Sequence, residues 1–76
     1  MTKEDFFKLL QDELEYEIVL SGDTLIKEVE EWDSMSAMVL IGVVSQNFGV
    51  TLNANNIEAI TTINSIIEII GGDKFD

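Results

Sequence analysis

The chain has 76 residues, which is enough for one domain, and its hydrophobic fraction of 46% is enough for one small core. Its net charge of −11, from fifteen acidic and four basic residues, excludes nucleic acid as a ligand, because phosphate binding needs clusters of Lys and Arg. The absence of Cys and His removes disulfides, thiolate metal sites and the usual catalytic bases and nucleophiles.

The first predicted element is an amphipathic helix over residues 2–15. Thr2 followed by Asp5 is a variant of the capping box, which satisfies free N–H groups at a helix start. One face carries apolar side chains at helical spacing, namely Phe6, Phe7, Leu10 and Leu14, widened by Leu9.

Residues 16–33 are predicted to form a long connection. The apolar residues expected to pin its start to the core are Tyr16, Ile18, Val19 and Leu20. A turn cluster over 21–24 follows, and one short helical turn is expected at Leu25, Ile26 and Val29. A loop this long in a small domain usually has a function. Here it brings a run of acids next to Ser34, namely Glu28, Glu30, Glu31 and Asp33. Their spacing is not that of a calcium loop, so no metal site is predicted.

The second predicted helix covers residues 34–48. Asp33 is a suitable N-cap, and Gly49 is expected to end the helix in a left-handed conformation. The residues assigned to the core face are Ala37, Leu40, Ile41, Val44 and Phe48. The residues expected on or beside the outer face are Met35, Ser36, Met38, Val39, Gly42, Ser45 and Gln46.

The Asn cluster of residues 53–56 is predicted to cap a short helix at about 56–60, which holds Ile57 and Ile60. Thr61 or Thr62 then caps a last helix at about 63–70. Its core face is Ile63, Ile66, Ile67 and Ile70. Gly71 and Gly72 end this helix, and the tail 73–76 is expected to be frayed. Val and Ile favour strands, but the apolar spacing is that of a helix, so the prediction is a single all-α domain over residues 1–76.

At the start of the second helix, the string Asp33-Ser34-Met35 resembles the Asp-Ser-Leu signature of acyl and peptidyl carrier proteins. The similarity continues through 47–50 and 58–63, covers essentially the whole chain, and is most specific over 25–70. It implies an acyl-carrier-like four-helix bundle with three main helices, one short helix and a long first loop. It also implies a protein that is not itself an enzyme and carries acyl or aminoacyl groups as thioesters. The carrier arm would be a covalent 4′-phosphopantetheine on Ser34, with Asp33 and Met35 as its motif neighbours.

The same resemblance implies two kinds of partner. A phosphopantetheinyl transferase, using coenzyme A and Mg²⁺, would modify Ser34. Acyl ligases, transferases and synthases of fatty-acid, polyketide or peptide, or cell-envelope biosynthesis would then use the carrier. A cargo chain is hypothesised to enter a core lined by five apolar residues, namely Leu40, Ile41, Ile57, Ile60 and Ile66.

The chain departs from the family pattern in two ways. Residues 34–48 contain no acid, although partner enzymes commonly read acids on this helix, and Trp32 stands where housekeeping carriers commonly have a small residue. The Trp32-Asp33-Ser34 form resembles dedicated stand-alone carriers of specialised or cell-envelope pathways. The residues predicted to dock partners are therefore apolar or small, namely Met35, Met38, Val39 and Gly42. Trp32 is open between core and docking roles, and so is Met38.

Other interpretations remain. Capping alone would explain a serine at the start of a helix, and the chain would then be an unmodified helical adaptor that binds a partner through an apolar groove. An independent enzyme is disfavoured because no base accompanies Ser34 in the sequence pattern. We expect a cytoplasmic monomer without a signal peptide or a stable membrane insertion, because no apolar run reaches the roughly 18 residues of a membrane span.

Overall fold

The computed structural model describes all residues from Met1 to Asp76 as a bundle of helices. The four α-helices are α1 (Lys3–Leu14), α2 (Ser34–Phe48), α3 (Ala54–Ala59) and α4 (Ile63–Ile70). Single 3₁₀ turns cover Ile26–Glu28 and Gly72–Lys74. One isolated antiparallel bridge joins Leu25 to Thr62, and no strand is present. The prediction of an all-α carrier-like bundle is confirmed.

Side chains cap every helix start. Thr2, Asp33 and Thr62 each accept a hydrogen bond from the backbone N–H three residues on, at 3.0, 2.9 and 3.2 Å. Thr62, and not Thr61, is therefore the N-cap of α4. The predicted position of α3 was wrong by one to two residues. Asn53 is its N-cap and forms a reciprocal capping box with Asn56, so the helix begins at Ala54 and ends at Ala59.

The core joins the inner faces of α1, α2 and α4. The fully or nearly fully buried residues of these helices are Phe6, Leu10, Ser36, Leu40, Val43, Val44, Ile63, Ile66, Ile67 and Ile70. The predicted core face of α4 is confirmed. The predicted face of α2 was rotated: its buried stripe is Ser36, Leu40, Val43 and Val44, whereas Ala37, Ile41 and Phe48 are only partly buried. Because α2 is apolar almost all round, its own periodicity could not fix which side faces inward.

The start of the long connection is held by hydrogen bonds to its backbone and by only two of its four predicted apolar anchors. Tyr16 and Leu20 are buried as predicted, but Ile18 is exposed and Val19 is 86% exposed, which corrects the prediction for both. The Gln11 side chain in α1 donates to the carbonyls of Tyr16 and Ile18 and accepts from the N–H of Leu20. These bonds satisfy backbone groups that a loop leaves unpaired.

The rest of the connection is pinned to α3 and α4. Ile26 is fully buried, and its N–H donates to the carbonyl of Thr61 at 3.1 Å. The Lys27 ammonium donates to two carbonyls of the last turn of α3 at 2.8 and 3.0 Å, where the helix dipole favours a cation. The carbonyl of Gly22 accepts from the backbone N–H of Asn64 at 2.9 Å, which joins the turn cluster to α4.

The C-terminal tail packs on the core, so the prediction that residues 73–76 are frayed was wrong. Phe75 is buried, and its ring centroid lies 5.4 Å from that of Phe6 and 5.0 Å from that of Phe48. The N–H of Asp76 also donates to the carbonyl of Met1 at 3.0 Å. Three aromatic rings meet here, and their packing outweighs the flexibility usual at a terminus.

We expect Phe75→Ala to lower the free energy of unfolding by about 3 kcal/mol, because it removes a buried ring from this cluster. Chemical denaturation followed by circular dichroism measures the change. Lys74→Ala, at the neighbouring exposed position, is the control and should stay within about 0.5 kcal/mol. Equal stabilities for the two variants would show that the tail does not contribute to the core.

Glu15 ends α1 in a left-handed conformation with φ of 58°, and it is the only residue other than glycine with positive φ. This conformation brings the Cβ of an L-residue too close to the next carbonyl, at a cost of roughly 1–2 kcal/mol. The bend that it creates turns the chain directly into Tyr16, which is buried.

We therefore expect Glu15→Gly to raise the free energy of unfolding by up to about 1 kcal/mol, since glycine adopts this conformation without the clash. Glu13→Gly removes the same charge from the last turn of α1 and should lower the free energy of unfolding, by less than the roughly 1 kcal/mol that glycine costs in a helix interior. Thermal or urea unfolding of both variants shows whether each substitution raises or lowers the free energy of unfolding. A loss of stability in both would contradict the strained conformation at Glu15.

Candidate functional site

Ser34 is the first residue of α2 and is exposed to solvent. Its hydroxyl makes no hydrogen bond within the protein. The N–H groups of Ser34 and Met35 also have no protein acceptor, since helix N-termini lack the preceding carbonyls. The site therefore combines a free hydroxyl with backbone donors that suit an anion.

Asp33 begins the helix and is confirmed as its N-cap. One carboxylate oxygen, Oδ1, accepts from the backbone N–H of Ser36 at 2.9 Å and from its hydroxyl at 3.2 Å. The backbone of Asp33 is extended, and its carbonyl accepts from the N–H of Ala37 at 3.2 Å. Because Asp33 caps the helix, the hydroxyl of the next residue is left unused.

A buried hydrogen bond joins this cap to the end of α1. The Tyr16 hydroxyl lies 2.7 Å from the Ser36 Oγ, and Ser36 is the only buried polar residue of the chain. Burial raises the pKa of Tyr16, the bond to Ser36 opposes that change, and the charges of Asp33 and Glu31 add to it. Tyr16 therefore stays protonated well above neutral pH and remains a donor.

The prediction that Ser36 lies on the outer face of α2 was wrong, and the role of Tyr16 as a partner of the site was not foreseen from the sequence. Two signals were available. Tyr16 is the only tyrosine of the chain, and Ser36 is three residues beyond Asp33, where a capped N–H is expected. Neither signal indicates that residues twenty positions apart would meet.

A surface depression of about 370 Å³ lies between the end of α1 and the start of α2, and it is lined by Asp33 and Met35, the two neighbours of Ser34, but not by Ser34 itself. Its acidic wall is formed by Glu13, Glu15, Glu31 and Asp33. Its apolar wall includes Leu14, Met35 and Val39. Of the acids expected beside Ser34, Glu31 and Asp33 lie in this wall, whereas α1 supplies Glu13 and Glu15. A partner bound here would face both negative charge and apolar surface.

The exposed side of α2 begins directly after Ser34. Met35 and Met38 are 71% and 70% exposed, and Gly42 has open space around it. Val39, which was predicted on the outer face, is half-buried and packs against the core. Trp32 is also half-buried against the core, which favours the packing role for this residue. The exposed apolar part of the face is therefore mainly the two methionines.

The hypothesised cargo cavity is not present inside the bundle. Of the five residues expected to line it, only Ile60 lines a depression, a surface site of about 240 Å³ with Leu25 and Thr61. Leu40 and Ile66 are fully or nearly fully buried within the packed core. The interior of the bundle is filled by side chains.

The residues at the start of α2 fit a covalent 4′-phosphopantetheine. Such a group needs an accessible hydroxyl and an environment that accepts a phosphodiester, and Ser34 provides the first. The free N–H groups and the dipole of the 15-residue helix α2 provide the second. No group of three or more His, Cys, Asp or Glu side chains is arranged to hold a metal ion. None of the helices combines the length and the apolarity needed to cross a membrane.

One family model matches the sequence, and its description is that of a phosphopantetheine attachment site. The match covers residues 8–70, which is most of the chain and includes the whole of α2. No curated protein and no solved structure matches the sequence at a significant level. Domains of this family are acyl carriers rather than catalysts, and they interact with modifying and biosynthetic enzymes. The chain therefore belongs to the phosphopantetheine-attachment-site family, consistent with an acyl carrier protein, and carries covalently attached 4′-phosphopantetheine.

Proposed function

We propose that the 4′-phosphopantetheine is attached to Ser34 and that the chain delivers acyl or aminoacyl groups to partner enzymes. These enzymes belong to one of three kinds of pathway: fatty-acid biosynthesis, polyketide or peptide biosynthesis, or cell-envelope biosynthesis. The observation that carries the proposal is the exposed and unbonded hydroxyl of Ser34 at a capped helix start, within the matched residues 8–70. The thiol of the arm supplies the thioester chemistry, since the chain has no Cys of its own.

Comparison of the five serines supports Ser34 as the attachment point. Ser36 is buried and bonded to Tyr16. The hydroxyls of Ser21 and Ser65 are engaged in local hydrogen bonds. Ser45 is exposed but lies near the C-terminal end of α2, where the helix offers carbonyls and not free N–H groups. Only Ser34 combines exposure, a free hydroxyl and a helix N-terminus.

In the attachment step, the Ser34 Oγ forms a bond to the coenzyme A phosphorus that bears the pantetheine group. The pyrophosphate P–O bond breaks, and adenosine 3′,5′-bisphosphate leaves. The hydroxyl proton goes to a base of the phosphopantetheinyl transferase, because the chain has no His to accept it. The transferase also brings the Mg²⁺ that its substrate needs.

The new phosphodiester would lie between opposing influences. Asp33 and Glu31 carry negative charge beside Ser34 and repel it. The N–H groups of Ser34 and Met35 and the dipole of α2 attract it, by up to about 1 kcal/mol at an exposed helix start. The helix N-terminus therefore offsets part of the repulsion in an acidic region of the surface.

We also propose how partners bind. The exposed part of α2 contains no charged residue from 34 to 48, and Met35 and Met38 are its largest exposed side chains. Methionine adapts its shape to irregular contacts, which suits a surface that several enzymes bind. Gly42 lets a partner approach the backbone closely, while the acids of the adjacent depression steer basic partners. Together with Trp32, this face supports a stand-alone carrier of a specialised pathway.

Ser34→Ala should abolish modification and leave stability within about 0.5 kcal/mol, because the side chain is exposed and Asp33 keeps the cap. The measurement is intact mass after incubation of the apo chain with coenzyme A, Mg²⁺ and a broad-specificity phosphopantetheinyl transferase. Ser45→Ala, on the same helix, is the control and should be modified fully. An unmodified wild type would favour the helical adaptor, and modification of the Ser34→Ala variant would refute attachment at Ser34.

Met38→Glu should weaken binding of the cognate acyl ligase at least tenfold, because it places a charge at the centre of an apolar contact. Gln46→Glu adds the same charge further along α2 and should change binding by less than about threefold. Surface binding kinetics measure both variants, and added salt should slow association more than it speeds dissociation. Tighter binding by Met38→Glu would instead indicate that partners read acids on this helix.

A further inference from the structure

We propose that Tyr16 and Ser36 are positioning residues for the attachment reaction, acting through Asp33 on the orientation of the Ser34 hydroxyl. The inference rests on attachment at Ser34, and it adds a reason why this serine is presented in a reactive orientation. The observation that carries it is a continuous line of hydrogen bonds from the end of α1 to the cap of α2. The Tyr16 hydroxyl lies 2.7 Å from the Ser36 Oγ. The Oγ and the backbone N of Ser36 in turn lie 3.2 and 2.9 Å from the Asp33 Oδ1.

The direction of each bond follows from the chemistry of the three groups. An ionised Asp33 carboxylate only accepts, so the single hydroxyl proton of Ser36 goes to its Oδ1. The Ser36 Oγ is then an acceptor toward Tyr16, whose phenol must donate. No buried polar side-chain atom is left without a partner, so the line of bonds is complete. If Tyr16 accepted a hydrogen bond from Ser36 instead, Ser36 would have no proton left to donate to Asp33.

The consequence for Asp33 is that its two carboxylate oxygens become different. Oδ1 accepts two hydrogen bonds, whereas Oδ2 accepts none within the protein and stays available at the surface. A cap residue at an exposed helix start normally samples several side-chain rotamers. The second bond from Ser36, itself held by Tyr16, favours one rotamer and fixes the backbone that leads into Ser34. Catalysis of group transfer is sensitive to such positioning, because a misplacement of about 1 Å costs on the order of a hundredfold in rate.

Packing alone does not explain this pair. Ser36 occupies one position of the buried stripe of α2, whose other members are Leu40, Val43 and Val44. A hydroxyl in such a position is unfavourable unless it is hydrogen-bonded, and an apolar residue would avoid the problem. Glu15, directly before Tyr16, adopts a left-handed conformation at the end of α1. Two locally unfavourable features, the buried hydroxyl of Ser36 and the backbone of Glu15, therefore lie on either side of the Tyr16–Ser36 bond, and such features are typical of functional sites.

The test measures transfer of 4′-phosphopantetheine from coenzyme A to apo Tyr16→Phe and Ser36→Ala, with Mg²⁺ and a phosphopantetheinyl transferase. We expect kcat to fall about fivefold or more for each, the factor associated with one buried hydrogen bond. KM for the carrier should stay within about twofold, since Met35 and Met38 are untouched and still dock the enzyme. Ser45→Ala is the matched control and should keep both constants. Tyr16→Phe is nearly isosteric, so it carries the test alone if Ser36→Ala does not fold.

A double-mutant cycle separates positioning from a structural role. In an Asp33→Ala background there is no carboxylate to position, so Tyr16→Phe should cause no further loss of kcat. Ser36→Thr, which keeps a hydroxyl, should recover more of the rate than Ser36→Ala. Unchanged kcat in Tyr16→Phe, or the same fold loss with and without Asp33, would overturn the proposal. Transfer to wild type at another residue would instead overturn attachment at Ser34, so the two failures are distinguishable.

Discussion

The cap formed by Asp33 is the interaction on which the site depends. Its carboxylate ends the long connection and begins α2, by accepting from the N–H of Ser36. Serine is itself a favoured N-cap, and a serine in that role would use its oxygen to accept a helix N–H. Because Asp33 has this role, Ser34 falls one position inside the helix and its hydroxyl stays free. Because the two neighbours have these separate roles, the Ser34 hydroxyl is exposed and has no partner within the protein.

The core supports this arrangement from below. The isoleucines of α4 form the most regular buried face of the bundle, and α1 and α2 pack around it. The long connection is attached to the rest of the bundle, because hydrogen bonds of Ile26, Lys27 and Gly22 join it to α3 and α4 and to the segment between them. By contrast, α3 has no fully buried residue of its own, and it is held by the packing of Ile57 against the core and by Lys27. The N-terminus of α2 thus follows a connection that is bonded to the rest of the bundle.

Charge is distributed unevenly around the site. The acids of α1 and the connection gather on one side of Ser34, whereas α2 on the other side is neutral. Negative charge attracts a basic partner over a Debye length of about 10 Å at 0.1 M salt, while apolar contacts act only at short range. The phosphodiester of the arm would lie at the boundary between these surfaces. Encounter and docking can therefore depend on different residues of the same small protein.

The sequence by itself determined the number and order of the four helices, the caps Thr2 and Asp33, the inner face of α4 and the position of Ser34 at a helix start. These features depend on residues within about four positions of one another, and local spacing and capping rules are sufficient to predict them. The resemblance of 33–35 to the carrier signature then indicated the prosthetic group. Ser36 departed from the local pattern at the site, because it is buried against Tyr16, a residue twenty positions earlier.

The tertiary structure alone decided the orientation of α2, the pairing of Tyr16 with Ser36, the exposure of Val19 and the burial of Phe75. An almost uniformly apolar helix has no periodicity that selects its inner face, so contacts with α1 and α4 make the choice. Phe75 is similarly placed by two distant rings, those of Phe6 and Phe48. Long-range packing energies of this kind are not encoded in the spacing of neighbouring residues, so local rules could not predict these contacts.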